Sequence, residues 1–195
     1  MDAKTYKQQL LDTLYKPYKN KDSCPFGFTD IKNTVLGEGN PDAKLMFVGE
    51  APGRDEDAQA RPFVGRSGQL LNRILESNGT HRTDVFITNV VKWRPPNNRQ
   101  PTIAEMDAGK KMMLLYEIKI IRPKVICTLG SSALHALIDP EAKISQVRGK
   151  QIHLDHMILI PTYHPAYILR NNAELEKFMS DIQKSIELSC QDKQD

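Results

Sequence analysis

Short apolar runs alternate with longer amphipathic stretches along the chain. Lys44 to Gly49, Val85 to Val91, Val125 to Leu129 and Met157 to Pro161 are each short, apolar and closed by turn residues, the pattern of a strand buried on both faces. Between them the period becomes helical. Leu70, Leu71, Ile74 and Leu75 form one stripe that ends at Asn78-Gly79, a helix stop. Thr102 with Glu105 three residues later makes a capping box ahead of Met106, Met113 and Leu115. Ser131 to Ile138 predicts a short helix directly after the third strand, and Leu175, Phe178, Ile182 and Ile186 share one face of a last helix starting near Asn172. An N-terminal helix over about residues 4–15 carries Leu10, Leu11 and Leu14, whose simplest use is packing.

Buried strands separated by helices imply parallel pairing through crossovers, so the expected fold is α/β: a three-layer α/β/α sandwich on a four-stranded parallel sheet. One domain over residues 1–188 accounts for the pattern, with a disordered tail over 189–195. Ligands of such sheets sit at the carboxyl ends of the strands. That rule selects Gly49 to Gly68, Thr88 to Pro101, Gly130-Ser131 and Thr162 to Arg170.

The 195 residues carry 27 Lys plus Arg against 24 Asp plus Glu, a net charge of +3 that by itself names no partner. Its distribution says more. Lys92, Arg94 and Arg99 fall in a stretch from Val85 to Ala104 that has no acid, and Arg148, Lys150 and Arg170 meet only Asp155 between residues 148 and 170. Charge alone fits ordinary solvated faces equally well. No apolar run reaches the ~18 residues of a membrane span, and the charged, polar start reads as an intracellular chain. Cys24, Cys127 and Cys190 are too scattered for a disulfide framework, and no His/Cys cluster has metal-ligand spacing. Cys127 is expected to be an inert core thiol.

The selected loops hold the candidate chemistry. Gly49-Glu50-Ala51-Pro52-Gly53 and Gly65 leave backbone amides free to face negative charge, in a pattern that is neither GxGxxG nor a Walker loop. Phe63 reads as core packing or a hydrophobic staple, against the alternative of a plate for a flat ring. Asn89 at a strand end is either a turn residue or a two-point reader of an amide-like base edge. Asp55, Glu56 and Asp57 read first as a solvated helix cap. His164 leaves a buried strand at the ligand edge, and Tyr167, Ile168 and Leu169 beyond it form either core or a wedge for a duplex.

The runs GEAPGRDEDAQARPFVGRSGQLLNRIL, ITNVVKWRPPNNRQP, TLGSSAL, VRG and TYHPAYILR, in this order across residues 35 to 185, resemble the family 4 uracil-DNA glycosylases. The resemblance implies excision of uracil from single- or double-stranded DNA, with the nucleotide flipped into a pocket and the base-sugar bond hydrolysed. It gives Phe63 a stacking role and Asn89 the O4 and N3 edge of uracil, with Ala51 lining the base site. His164, with backbone amides near Glu50 and Ala51, would stabilise charge on the uracil O2, and Glu50 would orient water or balance charge on the sugar. Lys92, Arg94, Arg99, Ser131, Tyr167, Ile168 and Arg170 are the expected DNA contacts. No membrane and no second subunit are expected.

In one respect the sequence departs from that family. Its four cluster-ligating cysteines correspond here to Lys21, Cys24, Trp93 and Gly109, so no iron-sulfur cluster or other cofactor is expected, and Trp93 with apolar neighbours should fill the space. The departure keeps a second reading open, a DNA- or protein-binding module that retains the pocket without turnover. A hydrolase of nucleotides or phosphorylated metabolites, using the Gly loop for phosphate, is the third.

Overall fold

The computed structural model describes residues 1–191. Its strands are β1 (Glu38–Gly39), β2 (Leu45–Gly49), β3 (Phe86–Asn89), β4 (Val125–Leu129), β5 (Ile152–Leu154) and β6 (Met157–Thr162). Its helices are α1 (Ala3–Tyr15), α2 (Arg54–Gln59), α3 (Arg66–Ser77), α4 (Ile103–Gly109), α5 (Leu115–Ile121), α6 (Ser131–Leu137), α7 (Ile144–Val147), α8 (Pro165–Ile168) and α9 (Leu175–Cys190). They build one sheet in the order β1-β3-β2-β4-β6-β5, parallel through its four central strands and antiparallel at both edges.

The central strands are those marked by apolar runs, but the sheet has six strands rather than four. The two additions are two and three residues long and partly exposed, too short and too polar to carry a periodic signal. Thr102 caps α4, with Glu105 N–H donating to its hydroxyl at 3.2 Å and Thr102 N–H donating to the Glu105 carboxylate at 2.8 Å. A single π-helical turn, Lys110–Leu114, links α4 to α5. The tail expected to start at Ser189 is helical to Cys190, and residues 192–195 lie outside the described residues.

Side-chain alternation along β2 divides the core in two. Met46 and Val48 join Leu11 of α1, Phe86, Trp93, Met113 and Leu114 on one face. Leu45 and Phe47 join Leu71 and Leu75 of α3 and Phe178 and Ile182 of α9 on the other. At roughly 1.5–3 kcal/mol for each large apolar side chain buried, both layers are needed to hold the central strands in register. Among the described residues no helix is long and apolar enough to cross a membrane.

Candidate active site

Parallel strands deliver their carboxyl ends to one edge of the sheet. Gly49 of β2 is in register with Asn89 of β3, and Leu129 of β4 with Thr162 of β6. The pairing continues one step further: Val90 N–H donates to the Gly49 carbonyl and Gly130 N–H to that of Thr162, each at 2.9 Å. The loops beyond enclose a cleft of about 740 Å³ lined by Glu50, Ala51, Phe63, Asn89, Arg99, Ser131, His164, Tyr167 and Arg170. All nine are among the site residues expected from the sequence. Arg54 and Arg66, also on the lining, had no signal beyond being basic residues near a loop.

At the floor, Asn89 is 2% exposed, and its Oδ1 has no hydrogen-bond partner among the described residues. A buried amide oxygen left in this state costs about 1–3 kcal/mol unless a ligand supplies the donor. Phe63 packs beside it. A Cβ at Gly49 would lie 2.4 Å from the Phe63 ring and 2.5 Å from Asn89 Oδ1, so only glycine lets ring and amide converge over the strand end. Phe63 itself has φ +52°, a left-handed conformation that costs an aromatic residue about 1–3 kcal/mol and that surrounding bonds must hold. Its ring centre is 5.9 Å from that of His164, with the planes 35° apart.

His164 caps α8, its Nδ1 accepting the Ala166 N–H at 3.1 Å. In the neutral ring the proton therefore sits on Nε2, which is free to donate. Burial, reinforced by the charge of Arg170, lowers the His164 pKa from 6.5 to about 4. An unfolded chain binds this proton below pH 6.5 while the folded one refuses it until about 4. Stability should accordingly fall as the pH drops through that window. Urea unfolding across it should show a shallower loss in His164→Gln than in the wild type.

Ser132 donates to the Glu50 carboxylate and in turn accepts from Gln100 Nε2 at 3.1 Å, an arrangement that orients Glu50 at the cleft. Glu56 does more than cap α2. Its carboxylate receives the N–H groups of Gly53 (3.2 Å), Val64 (2.9 Å) and Gly65 (2.8 Å), tying together the two ends of the loop that carries Phe63. Asp57 is buried and accepts from the backbone of Lys32 and Asn33. A solvated cap therefore describes only Asp55, which is exposed at the cleft.

Three residues read as DNA contacts lie elsewhere. Lys92 is fully buried: its ammonium donates to Glu117 at 2.6 Å, to the Asn89 carbonyl at 2.7 Å and to the Thr88 hydroxyl, while Tyr15 donates to the other Glu117 oxygen at 2.6 Å. Burial pulls the Lys92 pKa down and Glu117 opposes it. A charge this deep is held by its partner, and that partner lies 25 residues along the chain. Ile168 belongs to the core with Leu71 and Phe178; its neighbours Tyr167 and Leu169 are the exposed ones. Arg94 is not on the cleft lining itself: it donates to Asn98, which is, at 2.7 Å and lies 4.0 Å from Asp57.

A sequence model of the Uracil DNA glycosylase superfamily matches residues 36–186, which contain every strand and the whole cleft. The chain belongs to this superfamily. It is similar to proteins named type-4 uracil-DNA glycosylase from Thermotoga maritima (44% identity over 92% of this chain and 94% of the relative), Archaeoglobus fulgidus (45%, 95% and 96%) and Pyrobaculum aerophilum (43%, 88% and 91%).

The iron-sulfur cluster implied by resemblance to the type-4 members of this superfamily does not fit the residues present. Cys24 is half-buried against the first core, Cys127 lies within β4 in the second, and Cys190 is exposed at the end of α9. Among the described residues no three His, Cys, Asp or Glu side chains group as metal ligands. At position 93 a fully buried indole meets Tyr18 and Phe26 edge-on, at ring distances of 6.1 and 5.6 Å, and donates to Thr34 Oγ1 at 3.1 Å.

Proposed function

We propose that the cleft excises uracil from DNA by hydrolysing its N-glycosidic bond, with the protein's own side chains and no iron-sulfur cluster. The observation that carries this reading is the unpaired Asn89 Oδ1 beside the Phe63 ring and a neutral imidazole. Uracil flipped from the stack would lie on Phe63, give its N3–H to Asn89 Oδ1 and accept the Asn89 amide at O4. Cytosine offers the opposite pattern and would leave the buried amide unpaired, the kind of mismatch that discriminates most strongly.

As the C1′–N1 bond breaks, its electron pair leaves with the base and negative charge gathers on O2. His164 Nε2–H and the backbone amides near Glu50 and Ala51 stabilise that charge. The sugar becomes oxocarbenium-like; Glu50, held by Ser132, faces it as a compensating carboxylate and orients the water that adds at C1′. The water's proton passes to Glu50 or to solvent, the departed uracil anion takes up one proton from solvent, and the products are an abasic site and uracil. Arg99, Ser131 and Arg170 hold the phosphates, and exposed Tyr167, with Leu169, fills the gap in the stack in place of Ile168.

The test is a cleavage assay on a uracil-containing oligonucleotide. Wild type should generate abasic product with no iron in the preparation, and Asn89→Ala should lose about 10- to 200-fold in kcat/KM, the scale of one unpaired polar contact. Salt-sensitive binding to uracil-DNA without base release would instead establish a binding module.

A further inference from the structure

Phe63 stands in a left-handed conformation that its own residue type disfavours, and the contacts around it show what holds it there. Arg82, on the loop between α3 and β3, donates through Nη1 to the Phe63 carbonyl at 3.0 Å and through Nη2 to the carbonyl of Pro62. Its third nitrogen, Nε, donates to Glu38 of β1 at 2.7 Å. The side chain is only 16% exposed, and Glu38 is held in turn by a two-pronged bond from Arg61, at 2.9 Å on each oxygen. Gly68 lets the first turn of α3 close on the same backbone: a Cβ there would come within 1.8 Å of the Phe63 oxygen. The residue with the unfavourable φ is thus met at its backbone by both a planar donor fork and the first turn of a helix.

We propose that Arg82 is a positioning residue for the base site: it locks the Pro62-Phe63 backbone so that the Phe63 ring stands over Asn89. The carbonyls of consecutive residues in a turn diverge, and a guanidinium meets both because its N–H groups are fixed in one plane. A lysine ammonium can satisfy one carbonyl and Glu38, not the same fork. Arg82 is not itself on the cleft lining and meets it through the Phe63 backbone, so its effect on the base site runs by way of Phe63. This rests on Phe63 being the stacking plate.

A double-mutant cycle separates the two ideas. Phe63→Ala should lower kcat/KM on uracil-DNA about 5- to 150-fold, the scale of one base-aromatic stack. Arg82→Met should show a loss of the same order as Phe63→Ala, carried mainly by KM and accompanied by weaker inhibition by free uracil. In the Phe63→Ala background the same Arg82 change should cost less than about twofold, because no ring remains to be placed. Should Arg82→Met fail to fold, Arg82→Lys keeps the charge opposite Glu38 and should show the same background-dependent loss. An equal loss in both backgrounds would overturn the proposal while leaving the stacking role intact. No loss from Phe63→Ala itself would remove both.

Discussion

Replacing His164 by alanine is expected to lower kcat on uracil-DNA by on the order of a hundred- to a thousandfold while leaving KM nearly unchanged, the cost of deleting a donor that acts on charge present only in the transition state. Three features make the residue suited to that task. Ala166 N–H occupies Nδ1, so Nε2 bears the proton. Burial next to Arg170 keeps the ring uncharged down to about pH 4. And the Phe63 ring lies beside it, the two ring centres 5.9 Å apart. A neutral imidazole is the stronger choice here, because it donates without having to lose solvation when the anion forms. The acid limb of kcat/KM assigned to this group should therefore lie near pH 4, not 6.5. Single-turnover kinetics on His164→Ala and on wild type would measure both; a loss confined to KM would show that His164 binds substrate without assisting bond cleavage.

The largest effect on stability should come from Lys92→Ala. The substitution strands the Glu117 carboxylate in a fully buried site and removes the donor to the Asn89 carbonyl, which should cost about 3–5 kcal/mol, read as a lower urea midpoint. Lys92→Met with Glu117→Leu, which removes both charges and restores apolar volume, should recover most of that loss. If the double replacement is no better than the single one, the buried pair is not the source of the effect. Folded Lys92→Ala should also bind uracil more weakly, since Lys92 ties the backbone of the base-reading residue to α5.

These two side chains show where sequence reasoning succeeds and where it stops. The places of His164, Asn89, Phe63 and Glu50 at the cleft were legible because each stands at the end of an apolar strand or in the segment that follows one, and parallel pairing gathers these at one edge. For Phe63 and Asn89 the residues alone left the role open, and the family resemblance supplied it. Lys92 was misread because a lysine between Val91 and Trp93 in an acid-free stretch looks like a surface cation, and nothing local announces Glu117. Ile168 sits between two exposed apolar residues, and a turn of only four helical residues gives no period to show which of the three faces inward. Arg82 and Ser132 act by bonding to a loop and a carboxylate distant in the chain, and Glu56 by bonding across a loop to backbone amides eight and nine residues on, contacts that exist only after folding.

The two margins of the sheet bear on behaviour at high concentration. The outermost strands are two and three residues long, and one of them holds Glu38 with its two arginines. Another polypeptide approaching from either side finds only a few unpaired amides and carbonyls, at the β1 side beside fixed charge, too little backbone to template cross-β growth. Such margins let a strongly apolar set of central strands stay dispersed.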